Sequence, residues 1–166
     1  MPREKSAGAI IYRKESGNVY YLLLHYPAIN RKGGHWEFPK GHVENNETEE
    51  GTVIREIKEE TGLSDIKIIP GFKEYIKYFF KENPAFRKVA ETGRPAPAEG
   101  NSEARKKSNW IFKLVVFFIA ETKTKDIKIS DEHTEFLWLP FEEAVKKTTY
   151  KNSKDLLKKA NKFILQ

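Results

Sequence analysis

A chain of 166 residues, 39% hydrophobic and 33% charged, is long enough to bury one core of its own and too apolar to stay disordered. It has no cysteine, which excludes disulfides and thiolate metal centres, and no apolar run near the roughly 20 residues needed to cross a bilayer. The start MPREKSAG lacks the pattern of a secretory signal, so the expected compartment is cytoplasmic, without a membrane partner. A net charge of +6 suits polyanionic ligands but equally serves solubility.

In chain order, KSAGAIIYR (5–13) and VYYLLLH (19–25) read as two β-strands joined by a Glu-Ser-Gly-Asn turn at 15–18. The near-continuous apolar run of the second predicts burial on both faces. Residues 26–39 bear Gly and Pro and read as a loop leading into Lys40-Gly41-His42-Val43. A helix follows, with Asn46 and Glu49 as a plausible capping pair and Gly62 as its stop. Within it Val53, Ile54 and Ile57 form an apolar stripe, and Gly51 costs about 1 kcal/mol against Ala if it lies mid-helix. Glu56, Glu59 and Glu60 stand at i, i+3 and i+4, so their carboxylates converge and repel. A hard divalent cation with oxygen ligands relieves that repulsion; a merely solvated acidic helix face is the alternative.

Residues 65–70 and 71–80 read as strands, with Tyr75 and Tyr78 three apart and therefore on opposite faces. The stretch 81–109 is rich in Pro, Gly and basic residues and reads mostly as loop, with one helical turn near 86–90. WIFKLVVFFIAET (110–122) is the strongest strand signal, interrupted by Lys113. Ser130-Asp131-Glu132-His133 precedes a short strand at 135–139, and helices follow at 141–147 and 151–165. Leu156, Leu157, Ala160, Phe163 and Ile164 give the last helix a face that docks on the sheet. Four histidines without cysteine make no recognisable zinc spacing, so His133 reads as a structural neighbour.

The spacing Gly41, five residues, Glu47, seven residues, Arg55-Glu56, an aliphatic, any residue, Glu59-Glu60, any residue, Gly62, an aliphatic resembles the Nudix box at every defined position. The resemblance implies one Nudix domain over 1–166, an α/β/α sandwich with a mixed β-sheet, carrying an atypical insertion at about 81–109. It implies hydrolysis of a phosphoanhydride with Mg²⁺ or Mn²⁺. Glu56, Glu59 and Glu60 would be metal carboxylates, joined by the backbone carbonyl of Lys40. Glu47 and Arg55 would be a structural pair, and Gly41 and Gly62 turn residues.

The run HWEFPKGHVE (35–44) and the later S-x-E-H…W-L pattern are similar to the asymmetrical diadenosine tetraphosphate hydrolases within that superfamily. By that likeness His35, Lys40 and Lys113 would reach the polyphosphate, and Tyr78 and Tyr150 would stack on adenine rings. Glu132 would approach the metals from across the cleft, and it, Glu56 and Glu59 would form the catalytic set. Ala7, Gly8 and Ala9 would lie near the nucleotide, or simply allow close strand packing. Tyr78 also reads as a half-buried sheet tyrosine, and Lys113 as an edge lysine reaching solvent. The expected substrate is a dinucleoside polyphosphate, most readily diadenosine tetraphosphate cleaved to ATP and AMP. RNA 5′ ends, other nucleoside diphosphate derivatives and inositol pyrophosphates stay open, as does a non-catalytic nucleotide sensor. A nucleic acid partner is conceivable through the basic insertion but is not favoured over a plain surface loop.

Overall fold

The hairpin that opens the chain turns on two residues, Ser16 and Gly17, both with positive φ (50° and 79°), as a tight two-residue turn between right-twisted strands demands. It joins β1 (Arg3–Glu15) to β2 (Asn18–Tyr26) in a register that pairs Glu15 with Asn18 and Tyr12 with Tyr21. The computed structural model describes residues 3–28, 33–81 and 110–166. The remaining elements are β3 (His35–Glu37), β4 (Lys40–His42), α1 (Glu49–Thr61), β5 (Lys67–Ile68), β6 (Glu74–Lys81), β7 (Trp110–Glu121), β8 (Glu135–Pro140), α2 (Phe141–Lys147) and α3 (Lys151–Ile164). Contacts divide the chain into two compact units. The larger holds 5–76 and 115–166; of the described residues, the smaller holds 3–4, 77–81 and 110–114.

The strands form a mixed sheet in the order β3-β2-β1-β7-β5, with β4 added to β1, β6 to β7 and β8 to β2. Both faces are covered, and the period of two shows how. Ala7, Ala9 and Ile11 of β1, Leu22 and Leu24 of β2 and Val116, Phe118 and Ala120 of β7 bury against Val53 and Ile57 of α1. The alternate residues Ile10, Tyr21, Leu23, Val115, Phe117 and Ile119 are equally buried, and here α2 and α3 supply the cover. Tyr21 meets the edge of Phe141 and donates a 2.7 Å hydrogen bond to Asn161 Oδ1 of α3. The arrangement is an α/β/α sandwich. Among the described residues, no helix is long and apolar enough to cross a membrane.

The first two strands do not stay together. β1 pairs with β2 only from Tyr12 to Glu15, while its earlier residues Ser6 to Gly8 pair with β4. β2 likewise leaves β1 and pairs Leu24, His25 and Tyr26 with β3. Phe38 and Pro39, both buried, fill the gap between the parted strands, and Pro39 O accepts a 3.1 Å bond from Ala9 N–H.

Several sequence expectations need correction. Residues 35–37, within the stretch read as loop, form a short strand, and 40–42, left without an element, form another. The cap of α1 is Thr48, whose hydroxyl accepts from Gly51 N–H at 3.0 Å, whereas Asn46 takes a left-handed turn at φ 64°. Gly51 therefore stands in the first turn, where its conformational cost is smaller. Ile54 is 52% exposed, so the core stripe of α1 is Val53, Ile57 and, unexpectedly, Glu60. The strand expected over 65–70 shrinks to Lys67–Ile68. The insertion, apart from Lys81, lies outside the described residues, together with the helical turn expected near 86–90.

In the smaller unit Phe79 and Phe112 stack obliquely, with ring centroids 5.0 Å apart. Lys113 is half-buried there, and loss of solvent pushes its amine below the ordinary lysine range, against an opposing pull from Glu4. Tyr78 is half-buried and Tyr75 exposed, as the strand period requires.

Candidate active site

Lys40 and Gly41 are set by the small residues of β1. At Gly8, a Cβ would lie 2.5 Å from Pro39 O and 2.6 Å from Lys40 Cβ, so only glycine lets the 39–41 backbone cross at this distance. This favours close packing as the reason for the Ala-Gly-Ala run. Gly41 serves the next layer in the same way, because a Cβ there would fall 1.9 Å from Glu56 Cδ. The Glu56 carboxylate rests on the bare backbone of β4.

Arg55 ties this layer together. Its Nε and one terminal nitrogen grip Glu47 at 2.8 and 3.0 Å, a two-point hold that matches guanidinium to carboxylate. It also donates to His42 O at 2.9 Å, to Glu56 at 2.8 Å and to Glu59 at 3.3 Å. The hydrogen bonds from Arg55 and from Thr52 hold the Glu47 carboxyl down at about 2, and the Arg55 guanidinium is raised further above its ordinary value.

The three box carboxylates are graded in burial rather than equivalent. Glu59 keeps 60% of its side chain exposed, Glu56 only 15%, and Glu60 is 4% exposed at the end of the core stripe. Burial, then the charge of Glu56, pushes the Glu60 carboxyl up to about 8, although Lys40 opposes the shift. Burial also raises Glu56, and Glu59 and Glu132 add to it. Glu132, exposed on the 127–134 segment, thus acts on both Glu56 and Glu60. Lys40 donates its backbone N–H to Glu60 Oε2 at 3.1 Å, and its ammonium stands 4.7 Å from the Tyr26 ring centroid.

An aromatic row leads away from the carboxylates. The cross-strand pair Tyr26 and His35 stacks face to face, centroids 5.0 Å apart and planes 4° off parallel. His35 in turn lies 5.3 Å from the ring of Tyr150, which is 47% exposed at the N-cap of α3. Burial and then the Lys40 charge lower the imidazole of His35, so it is neutral and offers a flat face. Burial, with Glu60 and Glu37 next, raises the Tyr26 phenol well above its usual value.

Two clamps hold β3 against the start of α3. Trp36 N–H donates to Thr149 Oγ1 at 2.8 Å while Thr149 N–H returns a 3.2 Å bond to Trp36 O. Glu37, fully buried, accepts from Phe38 N–H at 3.1 Å and from Ser153 Oγ at 2.6 Å.

The structure therefore gathers Lys40, Gly41, Glu47, Arg55, Glu56, Glu59, Glu60, Glu132, His35 and Tyr150 in the larger unit, with Gly62 (φ 73°) closing α1. Tyr78 and Lys113 belong to the smaller unit. Sequence reasoning missed Tyr26 and Glu37 as neighbours of the site, whereas His133, read there as a structural neighbour, stands 3.7 Å from Glu60. Tyr26 was legible only through its pairing with His35, which a loop reading of 26–39 hides.

Among the described residues no three carboxylates or imidazoles already stand in ion-holding geometry, and Arg55 donates to both Glu56 and Glu59. The donor set nonetheless fits a hard divalent cation. It is all oxygen, the ligand type such ions prefer, and the Glu56 charge adds to the burial that raises Glu60.

The sequence pattern of the NUDIX domain family matches residues 2–160. The bis(5′-nucleosyl)-tetraphosphatase [asymmetrical] of Mus musculus is 28% identical over 96% of this chain and 95% of its own length. The Caenorhabditis elegans protein of the same name is 30% identical over 96% of each. A crystal structure of a C. elegans Ap4A hydrolase binary complex superposes with a TM-score of 0.71 at 28% identity, covering 98% of both chains. On the family match and on the box laid out along α1, this chain belongs to the Nudix hydrolases.

Proposed function

We propose that this Nudix hydrolase cleaves a dinucleoside polyphosphate asymmetrically, diadenosine tetraphosphate to ATP and AMP, with Mg²⁺ or Mn²⁺ and as a single cytoplasmic domain. The observation that carries the reading is the adjacency of two unlike surfaces. A cluster of carboxylates around Lys40 continues directly into the Tyr26–His35–Tyr150 ring row, one end suited to phosphates and the other to a base. The relatives named as asymmetrical tetraphosphatases support it along nearly the whole chain.

Glu56, Glu59, Glu60, Glu132 and the Lys40 carbonyl would hold the divalent ions. Bound there, such ions polarise a phosphate and lower the pKa of water. Lys40 contributes a point charge to phosphate oxygens, and His35, neutral, donates a hydrogen bond or packs flat against the substrate. Glu56 and Glu132, the less and more exposed partners, are the candidates for taking the proton of the attacking water. Water adds to phosphorus, the anhydride oxygen leaves with the departing nucleotide, and ATP and AMP result. Tyr150 stacks one base, a contact worth about 1–3 kcal/mol.

Product analysis tests the reading. Purified protein with Mg²⁺ and diadenosine tetraphosphate should release ATP and AMP in equal amounts. Formation of ADP alone, or preference for triphosphorylated RNA or inositol pyrophosphates in a substrate panel, would overturn the substrate. Nucleotide binding without metal-dependent turnover would overturn catalysis.

A further inference from the structure

His133 has no role in the reaction proposed for this site. Its side chain is buried (5% exposed), and among the described residues its Nε2 has no hydrogen-bond partner. An unpaired polar atom in the interior is unfavourable, so the atom it faces is informative. That atom is Glu60 Oε1, 3.7 Å away, just outside hydrogen-bonding range. Three features hold the imidazole on this aim. Ser130 Oγ lies 3.0 Å from Nδ1, the ring stands edge-on to Tyr26 at 4.3 Å and 77°, and the backbone around it is stitched to the end of α1. Ser130 N–H donates to Glu60 O at 3.2 Å, Lys128 N–H to Thr61 O at 3.0 Å, and His133 N–H to Ser130 O at 3.1 Å. The imidazole and the carboxylate are thus mounted on one rigid joint.

We propose that His133 is a positioning residue for Glu60, its Nε2–H directed at Oε1 so that the carboxylate is pre-aimed for a divalent cation. The inference rests on the reading of Glu60 as a metal carboxylate. In the tautomer proposed, the Ser130 hydroxyl donates to Nδ1 and the hydrogen sits on Nε2, the nitrogen facing Oε1. Lys40 N–H already holds Oε2 at 3.1 Å, and a donor facing Oε1 from 3.7 Å limits the remaining rotation of the group. A carboxylate so restrained still has lone pairs to offer and loses less freedom when a cation arrives.

The test reads cation binding without substrate. Mn²⁺ is titrated into the full chain and the free ion followed by electron paramagnetic resonance at pH 7.5. His133→Phe keeps a flat ring against Tyr26 but no donor, and should weaken Mn²⁺ affinity by about 10–100-fold. His133→Gln places an N–H near the Nε2 position and should restore most of it, while KM for the nucleotide at saturating Mn²⁺ stays as in the wild type. Equal affinity in His133→Phe and wild type, or equal loss in both variants, overturns the proposal. Should His133→Phe fail to fold by circular dichroism, Ser130→Ala, which frees the tautomer, decides. A several-fold weaker affinity supports the proposal, and an unchanged one overturns it. A wild-type chain that binds no Mn²⁺ overturns the metal reading beneath it, a result distinct from either.

Discussion

Glu59 and Gly41 show how differently two residues of one motif depend on their surroundings. Glu59 is the exposed member of the three box carboxylates, held among the described residues by a 3.3 Å contact from Arg55. Glu59→Gln should therefore leave the melting temperature almost unchanged while lowering kcat by about 100-fold or more, as loss of a charge-stabilising group does. Steady-state kinetics beside a thermal melt separates the two. Gly41→Ala works in the opposite way, since the added methyl would occupy the space of the Glu56 carboxylate. It should cost about 1–3 kcal/mol of stability through overpacking and displace Glu56, with activity falling at least tenfold. Urea denaturation and turnover read the two effects. Both residues were singled out through the resemblance to the Nudix box, whereas the burial of Glu60 was not anticipated. Its place on the core stripe follows from Val53 and Ile57 at i−7 and i−3, but a carboxylate on an apolar stripe runs against the usual expectation.

At the level of elements, α1 and the β3–α3 clamp position the site and are separable. Thr48→Ala removes the cap that accepts Gly51 N–H and should lower stability by about 1 kcal/mol, with kcat nearly constant. Glu37→Leu strands Phe38 N–H and Ser153 Oγ, at about 1–3 kcal/mol for each buried group left unpaired. It should also raise KM, because Tyr150 begins α3. Glu37→Gln can keep both contacts and should behave near wild type in denaturation and kinetics. The helices were legible in the sequence: 141–147 is found as expected, and 151–165 differs by one residue. β3 and β4 were not, because three-residue strands are too short to show a period and here interrupt a stretch bearing Gly and Pro. Their existence depends on partners 9 to 36 residues away, which local pattern does not report.

For the whole molecule, the buried titrating groups set a pH profile whose sign is fixed. Glu60 stands at about 8 against 4.5 for the free group, so its contribution is fully present at acid pH and is lost as pH rises through 8. Burial, then Lys40, lowers His133 to about 4 from 6.5, so its contribution is present above 6.5 and lost on acidification. The two oppose one another at mildly acid pH and leave Glu60 alone above it. In chelator, the melting temperature should fall between pH 6.5 and 8, and excess Mg²⁺ or Mn²⁺ should flatten that fall by supplying the missing positive charge. The parting of β1 from β2 carries a further consequence. Since Phe38 and Pro39 sit as a keystone in that breach, the candidate-site stretch beginning at Lys40 is masonry rather than ornament, and it has no separate way to come loose. Heat inactivation and collapse of the interior should then be a single event, with half-lives that coincide at every temperature.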